Sequence, residues 1–115
     1  MTDMETLRDQ MREFARARDW DPFHSPKNLA MALSVEASEL VEHFQWLTEE
    51  QSRRLDAEAQ AQVRAEIADV LLYLIRLADQ LGIDPVAAAQ GKLVENAKKY
   101  PVEKSRGNRK KYTEL

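Results

Sequence analysis

No glycine occurs before Gly82 and no proline between Pro26 and Pro85, so the long middle of this chain lacks the two residues that interrupt helices. The interior is instead filled with aliphatic and charged side chains: 43% of the 115 residues are hydrophobic and 32% charged. That composition suits long helices with one buried and one solvated face. No stretch alternates apolar and polar residues with a period of two, so strands are not expected. A chain of this length buries roughly two-thirds of its unfolded surface around a single core. The expectation is an all-α fold, a four-to-five-helix bundle.

Apolar spacing and cap residues place the elements. Met4, Leu7, Met11 and Phe14 step by three and four, one face of a first helix ending near Asp19. An aromatic loop, Trp20-Asp21-Pro22-Phe23-His24, follows it. Ser25-Pro26 reads as N-cap plus first-turn proline for a second helix, which carries Leu29, Leu33, Leu40 and Phe44 and is expected to run to about Trp46. Thr48 and Gln51 have the spacing of a capping box opening a short polar helix. From about Asp56 to Leu81, Val63, Ile67, Val70, Leu71, Leu74, Ala78 and Leu81 form the stripe of a longer helix, with Gly82 where a terminating glycine belongs. Asp84-Pro85 repeats the cap-plus-proline signal for a last helix through Leu93 and Ala97 to Tyr100, stopped by Pro101.

Charge narrows the function classes. Twenty acids against 17 bases give a net charge of -3, so no chain-wide basic field draws a polynucleotide. The charge is unevenly placed: between Glu103 and Leu115, five bases stand against two acids. On this ground the chain is expected to divide into a helical domain over residues 1–102 and a basic tail over 103–115. Such a tail is either a solvated end or a segment that folds over an anionic ligand or a neighbouring subunit. The absence of cysteine excludes a disulfide scaffold, Cys-ligated metal and a thiol nucleophile. The opening MTDMETLRDQ has no apolar core of a secretory signal, and Val70 to Ile75, the longest apolar stretch, is too short to cross a membrane. A soluble cytoplasmic protein is expected, with neither polynucleotide nor membrane as partner.

The chemistry concentrates in two carboxylate pairs. Residues three apart share a helix face, so Glu36 and Glu39 project together, as do Glu66 and Asp69 one long helix later. Both pairs lie among apolar neighbours, Leu33, Val35 and Leu40 around the first, Ile67, Val70 and Leu72 around the second. Carboxylates there would carry a heavy desolvation cost or be protonated. Two antiparallel helices that bring the pairs face to face gather four acids with no cation nearby in sequence, and all-oxygen ligation of a divalent ion, Mg²⁺ or else Mn²⁺, answers that crowding. Against this stands the ordinary reading of acids at three-residue spacing, a solvated helix face; Glu49, Glu50 and Glu58 are read that way.

Glu36-x-x-Glu39, followed after 26 intervening residues by Glu66-x-x-Asp69, resembles the signature of the all-α nucleoside triphosphate pyrophosphatases, the MazG-like superfamily. Further matches are to its dCTP pyrophosphatase branch. They are Arg18-Asp19-Trp20, Phe23-His24, Asn28-Leu29, Phe44-Gln45-Trp46, Tyr73-Leu74, Lys92, Asn96, Tyr100-Pro101 and the ending Arg109-Lys110-Lys111-Tyr112-Thr113-Glu114-Leu115. The resemblance covers nearly the whole chain. It implies a Mg²⁺-dependent enzyme, tetrameric as a dimer of dimers, that hydrolyses a deoxynucleoside triphosphate to the monophosphate and pyrophosphate. It further implies that Glu36, Glu39, Glu66 and Asp69 hold the metal, that Trp20, Trp46 and Asn96 line the base pocket, and that Tyr73, Lys92 and Tyr100 contact sugar or phosphates.

The side-chain chemistry agrees: indoles stack on a base, an Asn amide offers donor and acceptor to a pyrimidine edge, and Lys supplies phosphate counter-charge. Glu36 or Glu39 is the candidate general base. His24, beside the aromatic loop, is a candidate substrate contact or an ordinary surface histidine, and His43 reads as a helix-face residue. At Met11 the chain departs from animal relatives with a polar pocket residue nearby, which bears on base selectivity. Val70, Leu71, Leu72, Leu74, Ile75 and Leu77 cover most of the long helix's circumference, more than one small bundle buries, so a homo-oligomer is expected, a dimer at minimum and a homotetramer preferred. Competing readings are a pyrophosphatase of another specificity, for dUTP, phosphoribosyl-ATP or a noncanonical triphosphate, and a non-catalytic helical interaction module.

Overall fold

A computed structural model describes residues 2–115, whose regular structure is all helical, with no strand among the described residues. The elements are α1 (Asp3–Ala17), α2 (Pro26–Glu42), α3 (Glu49–Ser52), α4 (Ala57–Gln80), α5 (Pro85–Lys99) and α6 (Val102–Ser105), with single 3-10 turns at Asp21–Phe23 and Tyr112–Glu114. They form two compact units divided between Ile83 and Asp84.

In the first unit α4 packs against both α2 and α1. The core is small: Ala15, Leu29, Val63, Ile75 and Ala78 are its buried apolar side chains. Side-chain contacts fix the relative direction of α2 and α4. Residue 24, just before α2, meets residue 76, while Glu36 and Glu39 meet Glu66. Rising numbers on one helix meet falling numbers on the other, so the two are antiparallel.

Local signals account for most helix ends. Thr2 and Glu5 close a capping box on α1, with bonds of 2.9 and 3.2 Å. Ser25 caps α2 ahead of Pro26 and Asp56 caps α4, while Thr48 and Gln51 form the expected box on α3. Helix α4 ends as its glycine requires: Gly82 takes φ 66°, and the N–H of Ile83 returns to the Ala78 carbonyl at 2.9 Å. The same device closes α1 without glycine. Asp19 takes φ 54° and the Trp20 N–H donates to the Ala15 carbonyl at 2.9 Å, so the helix stops at Ala17, short of Asp19, and hands the chain to Trp20.

The expected run of α2 to about Trp46 is corrected. The helix stops at Glu42, and residues 43–46 continue as tight turns, with Phe44 and Gln45 N–H groups both donating to the Val41 carbonyl at 2.9 Å. Turning the backbone there leaves the Trp46 indole 87% exposed.

The second unit runs from Asp84 to Leu115 and comprises α5, α6 and the C-terminal 3-10 turn. Asp84 accepts from the Val86 and Ala87 N–H groups at 3.0 and 3.1 Å, and Pro85 occupies the first turn. Beyond Pro101 the tail is ordered back onto the end of α5. The ring of Tyr112 meets that of Tyr100 edge to face at 6.0 Å, and the Lys99 ammonium lies 4.9 Å from the Tyr112 ring centre. No residue of this unit is buried.

Candidate metal and nucleotide site

The facing of α2 and α4 brings three acids together. One carboxylate oxygen each from Glu36, Glu39 and Glu66 lie within 4.8 Å of one another. Glu36 and Glu39 share a face of α2 because they are three residues apart, and the antiparallel α4 delivers Glu66 to the same spot. Asp69 stands one turn further along α4, exposed and outside this trio, although its charge is felt at Glu66. None of the four acids joins an ion pair among the described residues.

The electrostatics follow from that crowding. The Glu66 carboxylate, placed to accept a proton from Glu36, pushes the Glu36 pKa up to about 7, with loss of water and the neighbouring Glu39 adding to it. For Glu66 the strongest influence is the Glu36 proton, which favours its charged form, but burial and the charges of Glu39 and Asp69 outweigh it and raise the pKa. A proton is thus shared across the helix interface near neutral pH. Two oxygens, Glu36 Oε2 and Glu66 Oε2, are buried with no hydrogen-bond donor. Buried carboxylate oxygens without donors, on hard oxygen ligands and with no cationic side chain nearby, fit a divalent ion of the Mg²⁺ type.

The aromatic residues form a second group in the first unit. Trp20 meets Phe14 at 5.6 Å and His24 at 6.0 Å, both edge-on, and the Arg18 guanidinium covers the other ring of the row, Phe14, at 3.6 Å. His24 Nδ1 accepts a hydrogen bond of 3.1 Å from Arg76 Nε. Tyr73, on α4, and Met11, on α1, are half-buried. In the second unit Lys92 and Asn96, four residues apart, share one face of α5, and Tyr100 follows as its C-cap; Asn96 and Tyr100 are half-buried, and Lys92 lies 3.4 Å from Glu95.

Sequence reasoning missed Arg76, a buried cation on α4, its partners Asp21 and Asp79, and the Arg12 that pairs with Asp79 from α1. The available signal was a lone charge between Ile75 and Leu77 inside the most apolar stretch of the chain.

Fold and site together define an all-helical protein organised around a carboxylate cluster between two antiparallel helices. The chain belongs to the MazG-like family, whose model matches residues 31–115. It is similar to dCTP pyrophosphatase 1 of Mus musculus, 41% identical over 97% of this chain and 67% of the mouse protein. The same protein of Homo sapiens is 39% identical, with equal coverage. Among solved structures it is similar to a pyrophosphatase from Archaeoglobus fulgidus, with a TM-score of 0.82 and 41% identity over 88% of this chain and 94% of that one.

Proposed function

We propose that the chain is a Mg²⁺-dependent nucleoside triphosphate pyrophosphohydrolase that cleaves dCTP, or a base-modified dCTP, to the monophosphate and pyrophosphate as nucleotide-pool housekeeping in the cytoplasm. The observation that carries this reading is the Glu36–Glu39–Glu66 cluster, with its two buried oxygens that lack a donor. About 40% identity to dCTP pyrophosphatases over nearly the whole chain supports the substrate.

Glu36, Glu39 and Glu66, with Asp69 from the next turn, hold the metal in this reading. A divalent ion so held supplies positive charge to the phosphate oxygens and to the leaving pyrophosphate. Glu36 or Glu39 accepts a proton from the water that attacks the α–β phosphoanhydride, the water oxygen bonds to phosphorus, and the bond to the bridging oxygen breaks. Trp20 and Trp46 stack on the base; the 87% exposure of Trp46 suits an indole that waits for a planar partner. Asn96 reads the pyrimidine edge, and His24, Tyr73, Lys92 and Tyr100 contact the remainder of the nucleotide.

Assembly into a homotetramer, a dimer of dimers, completes the reading. Met31, Val35, Val41, Ile67, Leu93 and Val94 are each more than half exposed, and the second unit has no core of its own. Such surface is covered in other folds of this size, and a second copy of the chain supplies the cover.

A pyrophosphate-release panel over dCTP, 5-substituted dCTPs, dUTP and the other deoxynucleoside triphosphates, with and without Mg²⁺, tests the function. The expected result is Mg²⁺-dependent turnover greatest on a cytosine nucleotide, with Glu39→Gln losing at least about 100-fold at unchanged helical content. Turnover of Glu39→Gln within about tenfold of the wild type contradicts the role assigned to the cluster.

A further inference from the structure

Arg76 is the one charged side chain in the core of the described residues, with 5% of its surface exposed. A guanidinium does not escape burial by losing its proton, so it must be fully paired. Its Nη2 donates to Asp21 Oδ1 at 2.7 Å and its Nε to His24 Nδ1 at 3.1 Å, and its Nη1 lies 3.6 Å from Asp79 Oδ2. Asp79 is gripped from its other side by Arg12 of α1, through two bonds of 2.7 and 2.5 Å. One buried cation therefore ties α4 to the Trp20–His24 loop, and α1 holds the carboxylate behind it.

The direction of the His24 bond carries chemical information. A ring nitrogen that accepts a hydrogen bond has no proton, so the neutral imidazole bears its single N–H at Nε2. Burial first, and then the Arg76 charge, lower the His24 pKa, with Asp21 opposing, so the ring stays neutral near pH 7. The charged groups facing it are Asp21 in its own loop and Arg76 on α4, backed by Asp79 on α4 and Arg12 on α1. His24 Nε2 has no hydrogen-bond partner among the described residues, and the ring lies edge-on to Trp20 at 6.0 Å.

We propose that Arg76 is a positioning residue of the nucleotide pocket: it clamps the Trp20–His24 loop to α4 and fixes His24 as the neutral Nε2–H tautomer, a hydrogen-bond donor for an acceptor atom of a nucleotide held beside Trp20. This rests on the reading that Trp20 and His24 meet the nucleotide. The competing use of these cations is an anion site, since Arg12, Arg16, Arg76, Asp21, Asp79 and Gln80 line a cavity of about 400 Å³. Each of the three guanidiniums is already paired with a carboxylate, Arg12 and Arg76 with Asp79 and Asp21 of the cavity and Arg16 with Glu13 outside its lining at 2.8 Å, so the network's charge is spent within the protein.

Two measurements on the full chain test the proposal. Long-range ¹H–¹⁵N correlation of the histidine rings reads the tautomer directly in the wild type. The expected spectrum shows His24 with bare Nδ1 and protonated Nε2 at pH 7.5; a protonated Nδ1 overturns the proposal whatever the variants do. Steady-state kinetics of Arg76→Met and Arg76→Lys then read the pocket. The Met variant is expected to raise KM for the triphosphate at least about fivefold, more than it lowers kcat, while the Lys variant recovers part of the loss. An unchanged KM in a folded Arg76→Met protein overturns the positioning role. Should that variant not fold, Asp21→Asn, which loosens the same guanidinium, is expected to give the smaller KM rise in its place, and an unchanged KM there overturns the role equally. Absence of any triphosphate hydrolysis by the wild type defeats the functional reading and the donor role with it, while comparison of the wild-type and Arg76→Met spectra still decides whether Arg76 sets the tautomer.

Discussion

Binding of Mg²⁺ to the glutamate cluster is expected to expel a proton, in an amount set by pH. Glu36 holds its proton with a pKa of about 7 because Glu66 and Glu39 crowd it and water is excluded from one of its oxygens. With that value, about nine-tenths of the molecules carry the proton at pH 6, about half at pH 7 and only a few per cent at pH 8.5. A divalent ion takes the ionised ligands, so saturation with Mg²⁺ releases about 0.9 proton at pH 6, about 0.5 at pH 7 and almost none at pH 8.5. Affinity therefore falls about tenfold from pH 8.5 to pH 6. Isothermal titration of substrate-free protein in pairs of buffers with different ionisation enthalpies measures the proton number at each pH, and Glu36→Gln should abolish the release. Stability of the metal-free protein runs the opposite way. The folded state binds the proton more tightly than the unfolded chain, whose glutamate titrates near 4.5, so the metal-free protein loses stability as pH rises from that value towards about 7. Saturating Mg²⁺ offsets that loss most at the alkaline end. Equal affinity at pH 6 and 8.5, or no proton release at pH 6, refutes the shared-proton account of this cluster.

Asp79→Ala removes a carboxylate from Arg76, whose side chain is only 6% exposed, and urea denaturation should show a loss of about 2–3 kcal/mol, short of the full cost of breaking a buried pair because Asp21 remains. The pairing with Arg12 holds the Asp79 carboxyl below the usual aspartate range, so its contribution is present above pH 4 or so and disappears as pH falls through the lower folded value; a difference from wild type under about 0.5 kcal/mol at pH 7 contradicts this account. Equilibrium sedimentation at micromolar concentration is expected to show a multiple of 13.3 kDa, four copies being the proposed state, and a 13.3 kDa species refutes assembly.

Helix existence and most helix ends were legible because they depend on neighbours. Ser25-Pro26, Thr48 with Gln51, Gly82 and Asp84-Pro85 each act through hydrogen bonds or torsions spanning a few residues, and all four behave as their types require. The end of α2 was less legible. Nothing in Phe44-Gln45-Trp46 forbids a further helical turn, and the chain turns at His43 without glycine or proline. The acidic site was half legible: three-residue spacing places Glu36 with Glu39 and Glu66 with Asp69, but only packing reveals that Glu66 joins the α2 pair while Asp69 stays outside the trio.

By itself the sequence determined an all-helical chain, the faces that carry its acids, and the motif that marks it as MazG-like. Tertiary structure alone decided which acids meet, which oxygens lose their donors, and that Arg76 reaches back 52 residues to His24 while Asp79 reaches 67 to Arg12. The physical reason is one of range. Caps and periodicity are settled within one or two turns of backbone, whereas pairing across helices depends on how each rotates about its own axis and how closely it packs, and a charge in an apolar run has no visible partner until those rotations are known.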